Sequence, residues 1–178
     1  MGDRVQTPSQ TVGPFFHFGL EYDGSAQVVP GHYPGAIRLH GTVFDGGQAP
    51  VPDALLEIWQ TDAAGLVSRE RGSLLRNEFA FTGFGRAATN LGGEYAFTTV
   101  RPGTGFVTVA VFARGLSHHL FTRAYFDDGT GGGASDSLLA SLPPSRRSTL
   151  LAMPDGDRSF RFDVRLQGDG ETVFLEYS

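Results

Sequence analysis

LHGTVFDGGQAPVPDALLEIWQTDAAGLV, residues 39–67, is the stretch whose reading decides the fold. Residues Ile37–Phe44 alternate apolar and polar side chains, which predicts a half-buried strand. Asp45-Gly46-Gly47 is a turn signal, and Ala54–Gln60 supplies a second apolar run after Pro50-Val51-Pro52. The expectation is a hairpin of these two strands.

Working outward, Tyr95–Val100, Phe106–Ala113 and Leu120–Phe126 are rich in β-branched and aromatic residues. Arg101-Pro102-Gly103 and Arg114-Gly115 separate them, and the pattern predicts three strands at the centre of a sheet. Phe160–Leu166 and Thr172–Tyr177 add two more around Gly168-Asp169-Gly170, giving about seven strands. Residues 62–93 are Gly- and Arg-rich and weakly patterned, so they read as a surface excursion closed by Asn90-Leu91-Gly92-Gly93. Asp136–Leu151 holds the helical signals, interrupted at Pro143-Pro144, and predicts short helical turns. Thr7-Pro8-Ser9-Gln10-Thr11-Val12-Gly13-Pro14 reads as an extended arm.

The fold class is therefore all-β, an antiparallel β-sandwich with an extended N-terminal arm and helical turns near 136–151. The length of 178 residues suits one domain over 1–178, with an arm and irregular segment over 1–35 and the sandwich over 36–178. The mixture of 25 Gly, 10 Pro and 15 Phe favours many short strands over a helical bundle. A net charge of -5 without a basic stripe argues against a nucleic-acid surface. Cysteine is absent, which excludes disulfides and thiolate metal sites. No leader pattern opens the sequence and no long apolar run interrupts it, so the expected location is the cytoplasm.

The histidines offer weak metal signals. His118 and His119 are adjacent, and on a strand adjacent side chains leave opposite faces. His17, His32 and His40 have no second ligand at usable spacing. Tyr22, Tyr33, Tyr95, Tyr125 and Tyr177 read as packing residues in strands and turns.

The 39–67 stretch resembles the signature of the intradiol ring-cleavage dioxygenases, which open catechols at a ferric centre. That signature ends Gly-x-Tyr in the family, whereas this chain reads Gly65-Leu66-Val67. TPSQTVGPFF (7–16), FGRAAT (84–89), VFARG (111–115), TRAYFDD (122–128) and RFDVRLQGDGETVF (161–174) extend the resemblance across the chain. They are similar to the non-iron chain of a two-chain member of the family. The resemblance implies a homologous beta chain as partner, with Fe(III) held by that chain through two Tyr and two His. It implies protocatechuate and O2 as substrates, 3-carboxy-cis,cis-muconate as product, and assembly into a higher-order oligomer.

Under the resemblance, the family's first tyrosinate position falls on Val67 and the second just after Arg101-Pro102-Gly103, where the chain has Thr104-Gly105 and no tyrosine. The family's His-x-His pair falls on Phe106 and Thr108. Ferric iron favours anionic phenolates and imidazoles, and no residue at these four positions supplies either. No cofactor is expected on this chain, and no catalytic residue.

Arg114 closes an apolar strand before Gly115, so its guanidinium can project from a rigid element. Two readings stand: an ion-paired arginine at a sheet edge, or, under the resemblance, an anchor for the substrate carboxylate. Thr11, Gly13, Pro14 and Phe15 are substrate-binding candidates on the same ground, with Phe15 where the family commonly has Tyr. The alternative for the arm is that it ties two chains together. A further class of reading is a catalytically silent β-sandwich scaffold derived from the dioxygenases.

Overall fold

A computed structural model of the chain describes residues 7–70, 76, 79–126 and 136–176. Nine strands occur among them: β1 Ala36–Phe44, β2 Leu55–Trp59, β3 Phe84–Ala88, β4 Glu94–Val100, β5 Phe106–Phe112, β6 Leu120–Phe126, β7 Leu151–Pro154, β8 Ser159–Arg161 and β9 Val164–Arg165. Helical structure is short, as expected: a 3-10 turn at His17–Gly19, α1 Ser137–Ser141, α2 Pro144–Arg147 and a 3-10 turn at Ser148–Leu150. Asp136 caps α1 by accepting hydrogen bonds from the Leu138 and Leu139 amides, and Pro144 opens α2.

The strands run in the order β3-β2-β5-β6-β7-β8-β1-β4, with β9 on β1. One layer is β3-β2-β5-β6 and the other is β8-β1-β4, with β7 joining them. Between the layers, Leu39, Val43 and Phe97 pack with Leu56, Ile58, Val107, Val109 and Val111, all essentially without exposure. Burying each such side chain contributes roughly 1.5–3 kcal/mol, which makes this interleaving the main source of stability. The expected two-layered, strand-rich architecture is present.

Several sequence expectations need correction. β1 and β2 form no hairpin: β1 pairs with β4, β8 and β9, while β2 pairs with β3 and β5. The turn after β1 makes a single bridge, Phe44 to Pro50. Pro50 and Pro52 lack N–H donors and cannot extend a ladder, so the chain crosses to the other layer. β4 likewise leaves β5 and β6, because Arg101-Pro102-Gly103 carries the chain between layers. The sandwich is not wholly antiparallel, since β1–β8, β1–β9 and β6–β7 are parallel. The 136–150 segment supplies the crossover that a parallel β6–β7 pair requires.

The expected surface excursion at 62–93 contains β3, whose inward residues are Gly85 and Ala87. Such small residues give little apolar alternation, and a Cβ on Gly85 would stand 3.0 Å from Val28 and 3.1 Å from Phe97. The expected 160–166 strand is split because the Asp163 carboxylate, rather than a backbone carbonyl, accepts the Thr42 amide at 3.0 Å. The expected 172–177 strand is absent from the described part, 172–176. There, hydroxyls take the ladder bonds: Thr172 Oγ1 accepts from the Arg165 amide and Thr149 Oγ1 from the Val173 amide. Tyr177, Asp127 and Asp128 lie outside the described residues.

The irregular 1–35 segment includes a structural strap. The two ends of the strand path, β3 and β4, lie against each other. Residues 25–28 bridge them, with the Arg86 amide donating to Ser25 O, the Thr98 amide to Ala26 O and the Val28 amide to Thr98 O. Val28 and Val29 are buried, so this segment is core rather than arm.

Candidate functional site

Strand register and the loops beside it bring the residues that the resemblance matches to ligands, Val67, Thr104, Phe106 and Thr108, to one end of the β3-β2-β5-β6 layer. Phe106 and Thr108 are alternate residues of β5, so both project outward while Val107 and Val109 enter the core. Thr108 is opposite Trp59 on β2 and Arg123 on β6, and Phe106 is opposite Tyr125. Thr61 forms a bridge with Val67, and its hydroxyl lies 3.1 Å from that of Thr104.

Asp62 builds the turn that returns Val67 to this end. Its Oδ1 accepts from the Ala64 amide at 2.9 Å and the Leu66 amide at 2.8 Å, and its carbonyl accepts from the Gly103 amide at 2.7 Å. Gly103 must be glycine here, since a Cβ would meet Gly65 N at 2.4 Å. The side chains brought together at the ligand positions are an isopropyl group, a phenyl ring and two neutral hydroxyls. They do not fit a ferric ion, which requires anionic or imidazole donors. Among the described residues no three His, Asp or Glu side chains gather into a metal-binding group.

Arg123 instead stands over this patch. Its guanidinium carbon is 4.2 Å from the centre of the Phe106 ring, and Nη1 donates to the Tyr125 hydroxyl at 3.1 Å. Asp136 Oδ2 lies 3.5 Å from Nη1, and Tyr125 donates to Asp136 Oδ1 at 2.9 Å. Burial, above all, pushes the Tyr125 phenol up to about 12, so it stays a donor at ordinary pH. Sequence reasoning passed over Arg123; an arginine inside the apolar run LFTRAYF was the available signal.

The expected substrate contacts form a second group at the far end of β5. Arg114 Nε is ion-paired with Asp53, and the arginine side chain is 54% exposed. Thr11 Oγ1 accepts the Gly115 amide at 2.8 Å, which brings the arm against Arg114. Ser9 Oγ and His118 Nε2 are 3.1 Å apart, and Phe16 packs on Phe112 at 5.6 Å. A cavity of about 200 Å³ lies between the arm and the β5–β6 connection, lined by Gln10, Val12, Phe16, Phe112 and Leu116. Gly13 accepts from the Phe16 amide through its carbonyl, and Pro14 and Phe15 are exposed, with the Phe15 ring 5.9 Å from that of Phe18. Thr11 and Arg114 are therefore brought together, and Phe15 is turned to the exterior. His118 and His119 precede β6 rather than lying on a strand, and both line this cavity, with His119 stacked on Phe112.

Comparison with known proteins agrees with this architecture. A family model described as Dioxygenase matches residues 13–113. The chain is 40% identical to the protocatechuate 3,4-dioxygenase alpha chain of Burkholderia cepacia, over 96% of this chain and 97% of that one. It is 38% identical to the alpha chain of the same name from Pseudomonas putida, over 97% and 96%. The beta chain of the Burkholderia cepacia enzyme is 28% identical over 86% of this chain and 74% of its own. Among solved structures, the dioxygenase domain of a dioxygenase–carbohydrate-binding fusion from Streptomyces sp. SirexAA-E superposes with a TM-score of 0.60 at 24% identity, covering 92% of this chain and 99% of that chain, which shows the shared fold. With a family match over more than half its length and a 40% identical relative across nearly all of it, the chain belongs to the intradiol dioxygenase family.

Proposed function

We propose that this chain is the non-iron, alpha-type subunit of a heteromeric protocatechuate 3,4-dioxygenase. The observation that carries the reading is the gathering of Val67, Thr104, Phe106 and Thr108 at one end of one layer, at the positions of a ferric ligand set, with no anionic donor among them. Similarity to both an alpha and a beta chain supports a paired assembly. Fe(III) belongs to the beta-type partner, where protocatechuate and O2 react to give 3-carboxy-cis,cis-muconate. Residues 1–178 act as one domain, in the cytoplasm, and pair with the partner in a larger oligomer.

This chain's own work is to wall the substrate cavity and supply a cation to it. Arg114 meets the substrate carboxylate through its terminal amino groups, because the Asp53 pair engages Nε and leaves the side chain half exposed. Thr11 fixes the backbone beside it through the Gly115 amide, and Gly13, Pro14 and Phe15 complete the rim. A scaffold role for Arg114 is favoured by one observation, the same Asp53 ion pair.

The test is turnover of protocatechuate by this chain, by an iron-containing beta-type chain, and by the two co-expressed. Full activity is expected only from the pair, and Arg114→Ala in the pair is expected to raise KM by roughly ten- to hundredfold, the loss of one charge-assisted contact. Turnover by this chain alone would contradict the reading, and an unchanged KM and kcat would return Arg114 to the scaffold.

A further inference from the structure

The patch that cannot bind a ferric ion is not simply vacant of charge. Phe106 and Thr108 leave the same face of β5, and Arg123 pairs with Thr108 in register. Its guanidinium carbon lies 4.2 Å above the Phe106 ring, close enough for the ring's quadrupole to hold a cation. Asp136 and Tyr125 complete the enclosure through the 3.5 Å ion pair, the 3.1 Å Nη1 hydrogen bond and the 2.9 Å phenol–carboxylate bond. Asp136 is itself fixed by accepting from the Leu138 and Leu139 amides at the start of α1. Both charged partners are mostly buried, with side chains 27% and 22% exposed.

Resting on the reading that residues 67, 104, 106 and 108 stand at ligand positions, we propose that Arg123 takes the place of the missing metal, as a tethered cation that covers this patch, balances Asp136 and keeps a metal ion out. The chemistry suits the role. A guanidinium remains protonated and offers donors without a lone pair for a metal, so it cannot become a ligand. Its positive charge repels an incoming cation across a partly desolvated face. Its planar fork and aliphatic stem also occupy volume that a smaller residue would leave as a cavity.

The test grafts the ligand set onto the full chain as Val67→Tyr, Thr104→Tyr, Phe106→His and Thr108→His, with Arg123 retained or changed by Arg123→Met. Ferric iron is added, and bound iron and visible phenolate-to-iron absorption are measured on folded protein. The expected result is an empty fourfold variant and a fivefold variant holding about one iron per chain. A fourfold variant that binds iron with Arg123 in place would overturn this inference alone. A fivefold variant that stays empty would overturn it as well. A wild-type chain that binds iron would overturn both this inference and the proposed function.

A milder pair covers the case in which the grafts do not fold. Phe106→His with Thr108→His places two imidazoles on one face of β5, a simple chelate for Zn²⁺. Zinc affinity, read by dye competition, is expected to be at least about tenfold tighter when Arg123→Met is added. Equal affinities would overturn the proposal.

Discussion

Arg114, following β5, is ion-paired through Nε with Asp53, just before β2, and thereby ties the arm-bearing end of one strand to the start of its neighbour. The Asp53 side chain is 10% exposed, and its Oδ1 is buried without a hydrogen-bond partner among the described residues. Removing the cation would leave a largely buried carboxylate unpaired. Arg114→Ala is expected to cost about 1–2 kcal/mol, less than a fully buried pair because the arginine is half in water. Urea denaturation checks this, and addition of Asp53→Asn should restore part of the loss. A double variant less stable than the sum of its single changes would contradict the coupling.

Gly41 sits where β1 passes the Phe162 carbonyl, and a Cβ there would lie 1.9 Å from that oxygen. The Tyr95 hydroxyl donates to the same oxygen at 2.5 Å, and burial raises the phenol's pKa, so the bond is kept at all working pH values. Gly41→Ala must therefore push apart β1 and the chain after β8. A loss of roughly 3 kcal/mol or more is expected, read as a lowered melting temperature or insoluble expression. Wild-type stability in this variant would mean that the strand separation is wrong.

Arg86 holds the N-terminal segment onto β3. Its Nε and Nη2 donate to Glu57 Oε1 at 2.8 and 2.5 Å, and Nη1 donates to Leu20 O at 2.8 Å. Arg86→Met retains the stem but removes all three bonds and leaves Glu57 half-buried and alone. About 2–3 kcal/mol of destabilisation is expected, with faster proteolysis between residues 12 and 24 than in wild type. Unchanged cleavage there would show that the segment around Leu20 holds without Arg86.

The legibility of the chain follows from what fills each core position. β1 was readable because Leu39 and Val43 alternate with polar neighbours, and β4, β5 and β6 because β-branched and aromatic residues such as Phe97 and Val109 crowd between turn signals. β3 was hidden because Gly85 and Ala87 face the core and Phe84 and Arg86 face out, which reverses the usual contrast. Strand partners were harder to read than strands, since Pro50 and Pro52 stop a hairpin only after one bridge has formed. At the site, Val67, Thr104, Phe106 and Thr108 were visible through their resemblance to a ligand pattern. The Asp53 partner of Arg114 and the Asp136 partner of Arg123 depend on contacts between distant segments, which local pattern does not encode.

His40 on β1 introduces a pH dependence. Burial, and then the charge of Arg38, lower its pKa from 6.5 and outweigh the opposing pull of Asp155, whose carboxylate lies 3.1 Å from Nε2. The folded chain thus holds this proton less tightly than the unfolded chain. Below about 6.5 the unfolded state takes up the proton first, so this contribution to stability is lost as pH falls through that value towards the folded pKa. His40→Gln should flatten the stability–pH curve in this window while leaving it unchanged above about pH 7.5. Parallel curves for variant and wild type would contradict the assignment.

The central claim is that this polypeptide does not supply a ferric site and relies on a homologous chain for one. Iron content per chain, measured on the purified polypeptide alone and on its complex with a beta-type partner after loading under identical conditions, tests it most directly. The expected result is no stoichiometric iron on the isolated chain and about one ferric ion per pair in the complex. One ferric ion per isolated chain, abolished by changing this chain's own side chains, would contradict it.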